Sequence, residues 1–134
     1  MTKYNRADIV LSSETQNIKL KELVKVIITF NIPKQDNDKN KFDDSKLQGY
    51  IKQVAKVTGG TTTYQAKGQY IMDDGQMQSD NNYMVKTSTD SRQDLQEVKR
   101  IIAGMAKDLS QESIYFEVQQ ADVEFITADM NQAV

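Results

Sequence analysis

Gly59-Gly60-Thr61-Thr62-Thr63 offers the backbone N–H groups and hydroxyls of a phosphate-cradling loop. A P-loop, however, runs into a helix behind Gly-Lys-Ser/Thr, whereas these glycines follow a predicted helix and lead into a strand. They are therefore expected to stop the helix. Asp36, Asp38, Asn40 and Asp44 carry part of a Ca²⁺-loop spacing, but Lys41 stands where glycine is needed and Leu47 where the closing glutamate is needed. With Lys39 and Lys41 interleaved, this reads as a solvated charged loop, and no metal is expected. Asp73-Asp74-Gly75 could pair two carboxylates for acid–base work. Asp-Gly is what a tight hairpin wants, though, and nothing adjacent in sequence would raise a carboxyl pKa. Tyr64, Tyr70, Tyr83 and Tyr115 could form a stacking platform if one sheet face carries them, although tyrosines in strands more often pack half-buried. Tyr and Lys of the second and third strands, Tyr64, Lys67, Tyr70 and Lys86, make the candidate ligand or RNA face.

Composition removes broad classes of chemistry. The chain has 134 residues with no His, Cys or Trp and one Pro. Ser-His-Asp and Cys-His nucleophiles, disulfides and ordinary Zn or Cu sites are excluded. No cofactor is implied. The net charge of -2 hides a split: all six charged residues from Asp108 onward are acidic, whereas the first 107 residues hold 17 cations and 13 anions. An acidic surface of Glu112, Glu117, Asp122 and Glu124 could dock on a protein with a basic groove; the blander reading is a solvated strand edge and soluble tail.

The elements that must position these residues follow from periodicity. Val24, Val26, Ile28, Phe30 and Ile32 fall on one period-2 face and predict a strand ended by Pro33. Leu47, Ile51, Val54 and Thr58 predict a helix from an Asp43, Asp44 or Ser45 cap to Gly59-Gly60. Thr61 to Met72 reads as a strand in which Gly68 marks a bulge or a close backbone approach. Asp73-Asp74-Gly75 turns it, and a strand returns around Tyr83 to Thr87. Leu95, Val98, Ile102, Met105 and Leu109 form an apolar helical stripe behind an Asp90 or Ser91 cap. Ile114, Phe116 and Val118 give the last strand, with Val123 and Phe125 as a bulged extension or a fifth strand. Strand, helix, strand, strand, helix, strand is the ferredoxin-like split βαβ of the α+β class, two helices on one face of an antiparallel sheet. The expected organisation is an N-terminal arm over 1–20, one domain over 21–127 and a frayed tail over 128–134.

At Gly59-Gly60-Thr61-Thr62, Tyr64, Gly68-Gln69-Tyr70, Asp74-Gly75 and Gln111-Glu112-Ser113 the chain resembles small uncharacterised bacterial, phage and plasmid proteins. The resemblance spans roughly Leu23 to Ile126 and implies the same strand and helix order, with no activity attached. The Asn, Lys and Asp usage is similar to that of accessory proteins of mobile elements. Together these give the expected function: a non-catalytic, cytoplasmic protein-binding accessory or inhibitor, such as an anti-nuclease, working as a homodimer with no membrane contact. An RNA- or nucleotide-binding sheet is the second reading, and a cofactor-free enzyme the third.

Overall fold

A computed structural model describes residues 24–129. The expected arm over 1–20 and residues 130–134 of the expected tail lie outside them. The order is β1 (Val24–Pro33), α1 (Asp44–Thr58), β2 (Thr62–Ile71), β3 (Met77–Thr89), α2 (Arg92–Asp108) and β4 (Phe116–Asp122). The four strands form one antiparallel sheet in the order β2-β3-β1-β4, the ferredoxin-like arrangement. The strand formed first in sequence thus lies inside the sheet, between β3 and β4.

Local chemistry sets the helix ends. The Asp43 side chain accepts from the Ser45 N–H, satisfying one of the free donors of the first turn of α1. Gly59 closes that helix at φ 100°, a left-handed conformation suited to glycine, so the glycine run is a helix stop. Behind it, the buried Thr87 hydroxyl lies 2.7 Å from both the Thr58 hydroxyl and the Gly60 carbonyl, which ties the turn to β3. On α2, Ser91 caps through the Asp94 N–H at 3.1 Å. Leu95, Val98, Ile102 and Met105 face the sheet, with Leu109 continuing the stripe.

The core lies between the helices and one sheet face. Ile28, Phe30 and Ile32 of β1 and Val85 of β3 are buried against Leu47, Ile51 and Val54 of α1 and the α2 stripe. Each such side chain contributes about 1.5–3 kcal/mol relative to exposure. The Phe30 and Phe116 rings stack at 6.4 Å between centroids, fastening β4 to the same core. A second tie joins the helices: the Tyr50 hydroxyl donates to Asp108, which also pairs with Lys46 at 3.1 Å.

Three details differ from expectation. β3 starts at Met77, well before Tyr83, because Gln78 to Asn82 find partners on β2 despite their polarity. Beyond the Pro33–Asn82 pair, β2 and β3 continue as a two-stranded ribbon past the end of β1. At Gly68 the register is unbroken, so there is no bulge; what glycine permits is the close approach of a side chain, described below. Finally, β4 ends at Asp122, and among the described residues Val123 and Phe125 form no fifth strand. Lys25 instead sits over the exposed Phe125 ring at 5.2 Å. No helix among the described residues is long and apolar enough to cross a membrane.

Candidate functional site on the open sheet face

Strand alternation sends every second residue away from the helices. The uncovered face receives Thr29 and Asn31 from β1, Tyr64, Gly68 and Tyr70 from β2, Asp80, Asn82, Met84 and Lys86 from β3, and Glu117 from β4. Tyr64 stands opposite Met84, and Met84 opposite Asn31, so a ring, a thioether and an amide run in one row. Tyr64 and Tyr70 remain 50% and 47% exposed.

A polar chain crosses this face. Asn31 Nδ2 donates to Asn82 Oδ1 at 3.1 Å, and Asn31 Oδ1 accepts from the Tyr115 N–H at 3.0 Å. The Asn31 N–H also donates to the Tyr115 carbonyl at 3.3 Å. Asn82 Nδ2 reaches the Asp80 carbonyl at 3.3 Å, and the side chain is only 5% exposed. Amides persist in a sheet when each polar atom finds a partner, and here they tie β1 to β3 and to the residue that leads into β4. Tyr70 folds back over Gly68: a Cβ at position 68 would lie 2.6 Å from the Tyr70 hydroxyl oxygen and 3.4 Å from Asn82 Nδ2. The missing side chain is the seat of the phenol.

Two carboxylates belong to the same face. Asp80 pairs with Lys39 at 2.9 Å, and Lys39 also donates to the Ser79 carbonyl at 2.7 Å. Glu117 accepts from the Tyr115 hydroxyl at 3.1 Å, and this bond holds the Tyr115 phenol above its usual pKa. Grooves on the helix side of the sheet include two among the described residues. One, of about 460 Å³, has Ile102, Ala103, Ala106, Ile114 and Phe116 as its floor and Lys99, Lys107 and Glu112 at its rim. The other, of about 380 Å³, lies between Lys34, Lys41, Phe42 and Tyr83.

Of the candidate ligand-face residues, Tyr64, Tyr70 and Lys86 share the open face, whereas Lys67 alternates to the helix side. Tyr83 also faces the helices, donating to Asp44 at 2.5 Å under the Lys34 ammonium. The acidic four are not one patch: Glu117 is on the open face, Asp122 has the opposite strand parity, Glu112 borders the lysine-rimmed groove and Glu124 follows the strand. The expected charged loop spends Asp36 on itself. Asp36 accepts from the Asp38 and Asn40 N–H groups at 2.8 Å, and the Asn40 backbone bond leads in lowering its pKa. Among the described residues no group of three acidic side chains could hold a metal. Asn31 and Asn82 were missed. Their signal was an amide in mid-strand, where its β-propensity is poor.

The family whose sequence pattern matches residues 25–125 is described as a protein of unknown function (DUF3574). This chain belongs to that family. No curated protein matches it. Among solved structures, a phage SAM lyase in complex with S-methyl-5'-thioadenosine is similar at 20% identity and a TM-score of 0.56, over 78% of this chain and 91% of that one. CutA from Synechococcus elongatus is similar at 7% identity and a TM-score of 0.53, over 75% and 78%. The periplasmic divalent cation tolerance protein CutA from Archaeoglobus fulgidus follows at 9% identity and a TM-score of 0.50, over 79% and 90%. At these identities the likeness is one of fold.

The lyase corrects one expectation. The chain was expected not to be an enzyme, but an enzyme is built on this fold over most of the same length. Lack of His and Cys excludes side-chain imidazole and thiol chemistry, not catalysis. A substrate that carries its own leaving group asks the protein for shape and electrostatics, which a polar sheet face can supply.

Proposed function

We propose that this chain acts on a small ligand of the S-adenosylmethionine class, an adenosine-type ring joined to a positively charged sulfur, bound on the open sheet face. The observation that carries this reading is the Asn31–Asn82 amide pair, fixed on the same face as the half-exposed Tyr64 and Tyr70. Phenol rings stack on a purine, and the amide pair, its polar atoms engaged with one another and with the main chain, fixes the strands that present those rings. Met84 adds a polarizable thioether beside Tyr64. The fold shared with a phage SAM lyase supports the same ligand class. The chemistry is compatible with the missing His and Cys: as water forms a new bond to the carbon and gives its proton to solvent, the carbon–sulfur bond of the sulfonium breaks, and the bonding pair goes to sulfur, which leaves as a neutral thioether.

Consumption of such a methyl donor would give a phage or plasmid protein an accessory, interfering role. That is a route to inhibition without a protein partner. A specific observation favours self-association as well. The β2–β3 ribbon ends in Ile71, Met72 and Met77, of which Ile71 and Met77 are 68% and 60% exposed, and a second copy would cover them.

The test is incubation of the full chain with S-adenosylmethionine, followed by chromatography with mass detection for S-methyl-5'-thioadenosine. Enzyme-dependent release, lost in Asn82→Ala, supports the reading. Absence of release, together with no binding of either compound at millimolar concentration, refutes it. Tight RNA binding with a steep salt dependence, unaffected by either compound, would put the nucleic-acid reading in its place.

A further inference from the structure

Glu117 is the open-face carboxylate that none of the described ion pairs engages. Asp80 is neutralised by Lys39 at 2.9 Å, whereas Glu117 takes only the Tyr115 phenol proton at 3.1 Å through one oxygen. Its position is firm. Tyr115 is bound twice through its main chain to Asn31, at 3.0 and 3.3 Å, and Asn31 is bound to Asn82. The backbone that leads into Glu117 is therefore set relative to the amide pair, and the Tyr115 hydroxyl orients the carboxylate on this edge strand.

We propose that Glu117, oriented by Tyr115, is the subsite for the positively charged end of the ligand; this rests on the open-face reading above. Three strand spacings, about 14 Å in all, separate β2 from β4. A molecule whose ring lies on Tyr64 and Met84 and whose chain runs across β1 therefore brings its far end to β4. Glu117 stands opposite Thr29, and Thr29 opposite Lys86, so one row holds an anion and a cation with a hydroxyl between them. An amino-acid end finds partners of both signs in that row: its ammonium at Glu117 and its carboxylate toward Lys86. Glu117 thus sets specificity, preferring the cationic compound that carries this ammonium end over the neutral thioether product, which has lost it.

Calorimetric titration of the full chain with S-adenosylmethionine and, separately, with neutral S-methyl-5'-thioadenosine tests this. The wild type is expected to bind the cation roughly tenfold more tightly at low salt, an advantage that shrinks as salt is added. Glu117→Gln should remove that advantage and leave the neutral compound's affinity unchanged. Glu117→Asp should restore part of it, and Tyr115→Phe should lose part of it. Equal weakening of both compounds in Glu117→Gln, or an unchanged preference for the cation, overturns the assignment while leaving the open-face reading intact. A wild type that binds neither compound overturns both.

Discussion

Replacing Gly68 with alanine separates two roles a strand glycine can have: giving the backbone freedom, or leaving room for a neighbour. Gly68 is not among the positive-φ residues and sits in unbroken register opposite Asp80, so alanine meets no backbone penalty. The new Cβ would lie 2.6 Å from the Tyr70 hydroxyl, and ordinary contact begins at 3.4 Å. The atom in the way is the tip of a half-exposed side chain, which yields by a small χ rotation costing about 0.5–1.5 kcal/mol. Against this, alanine in place of glycine in a strand interior is worth roughly 0.5–1 kcal/mol. The two offset, and Gly68→Ala should unfold within about 1 kcal/mol of the wild type. The change should appear instead in Tyr70, whose ring resonances shift in NMR spectra, and in weaker binding of S-methyl-5'-thioadenosine. Gly68→Val, with two more methyl groups, should evict the phenol and lose more affinity while the sheet stays folded. Chemical denaturation followed by tyrosine fluorescence gives the stability, and calorimetry the affinity. A loss above about 3 kcal/mol in Gly68→Ala, a value reserved for severe defects, would show that the strand itself needs the glycine and refute the reasoning.

Asn82→Ala should cost about 1–3 kcal/mol in denaturant melts, because Asn31 Nδ2 is left without its 3.1 Å acceptor; a neutral result would mean that water replaces the amide. Tyr50 and Asp108 predict a stability change at each end of the pH scale. Burial first, and then the bond to Asp108, raises the Tyr50 phenol to about 12, so its contribution is complete below 10.0 and disappears as pH climbs through about 12. The Tyr50 and Lys46 bonds lower Asp108, so its contribution is present above the unfolded carboxyl range and disappears as pH falls through its lowered value. Melting profiles against pH should flatten at the alkaline end in Tyr50→Phe and at the acid end in Asp108→Asn; unchanged curves would remove the tie. In the ribbon, Ile71→Lys with Met77→Lys should lower the mass seen by light scattering if a second copy covers this tip, and an unaltered mass would exclude that contact.

Much of the architecture was legible because both helices announce themselves twice, by stripe and by cap. Leu95, Val98, Ile102 and Met105 repeat at helical spacing behind a Ser91 that does cap, and Gly59 stops α1 with the left-handed conformation glycine supplies. The central strand was equally plain, since its β-branched residues alternate toward a single core. The ribbon was not legible. Gln78 to Asn82 look like a loop by composition, and only the unbroken pairing with β2 makes them a strand. The site was half visible for a related reason. Tyr64 and Tyr70 could be placed on one face by counting, but Asn31 and Asn82 lie 51 residues apart and meet only after β1 and β3 pair. The acidic surface failed as a single patch because parity along β4 divides Glu117 from Asp122, a division that counting net charge ignores.

The interior placement of β1 has a bearing on how the protein is made. On the ribosome Val26 emerges long before its partner Thr89, and Val24 before Asp122. At 5–20 residues per second, a β-branched segment waits roughly 3–13 s for β3 and longer for β4. During that interval Val-Lys-Val-Ile-Ile-Thr-Phe is an unpaired, nearly uncharged stretch of the composition that drives cross-strand aggregation. Once β3 emerges, the β2–β3 hairpin closes locally and offers β1 its partner edge, so nascent chains halted before β3 should be the aggregation-prone species, and chains halted after it should be protected.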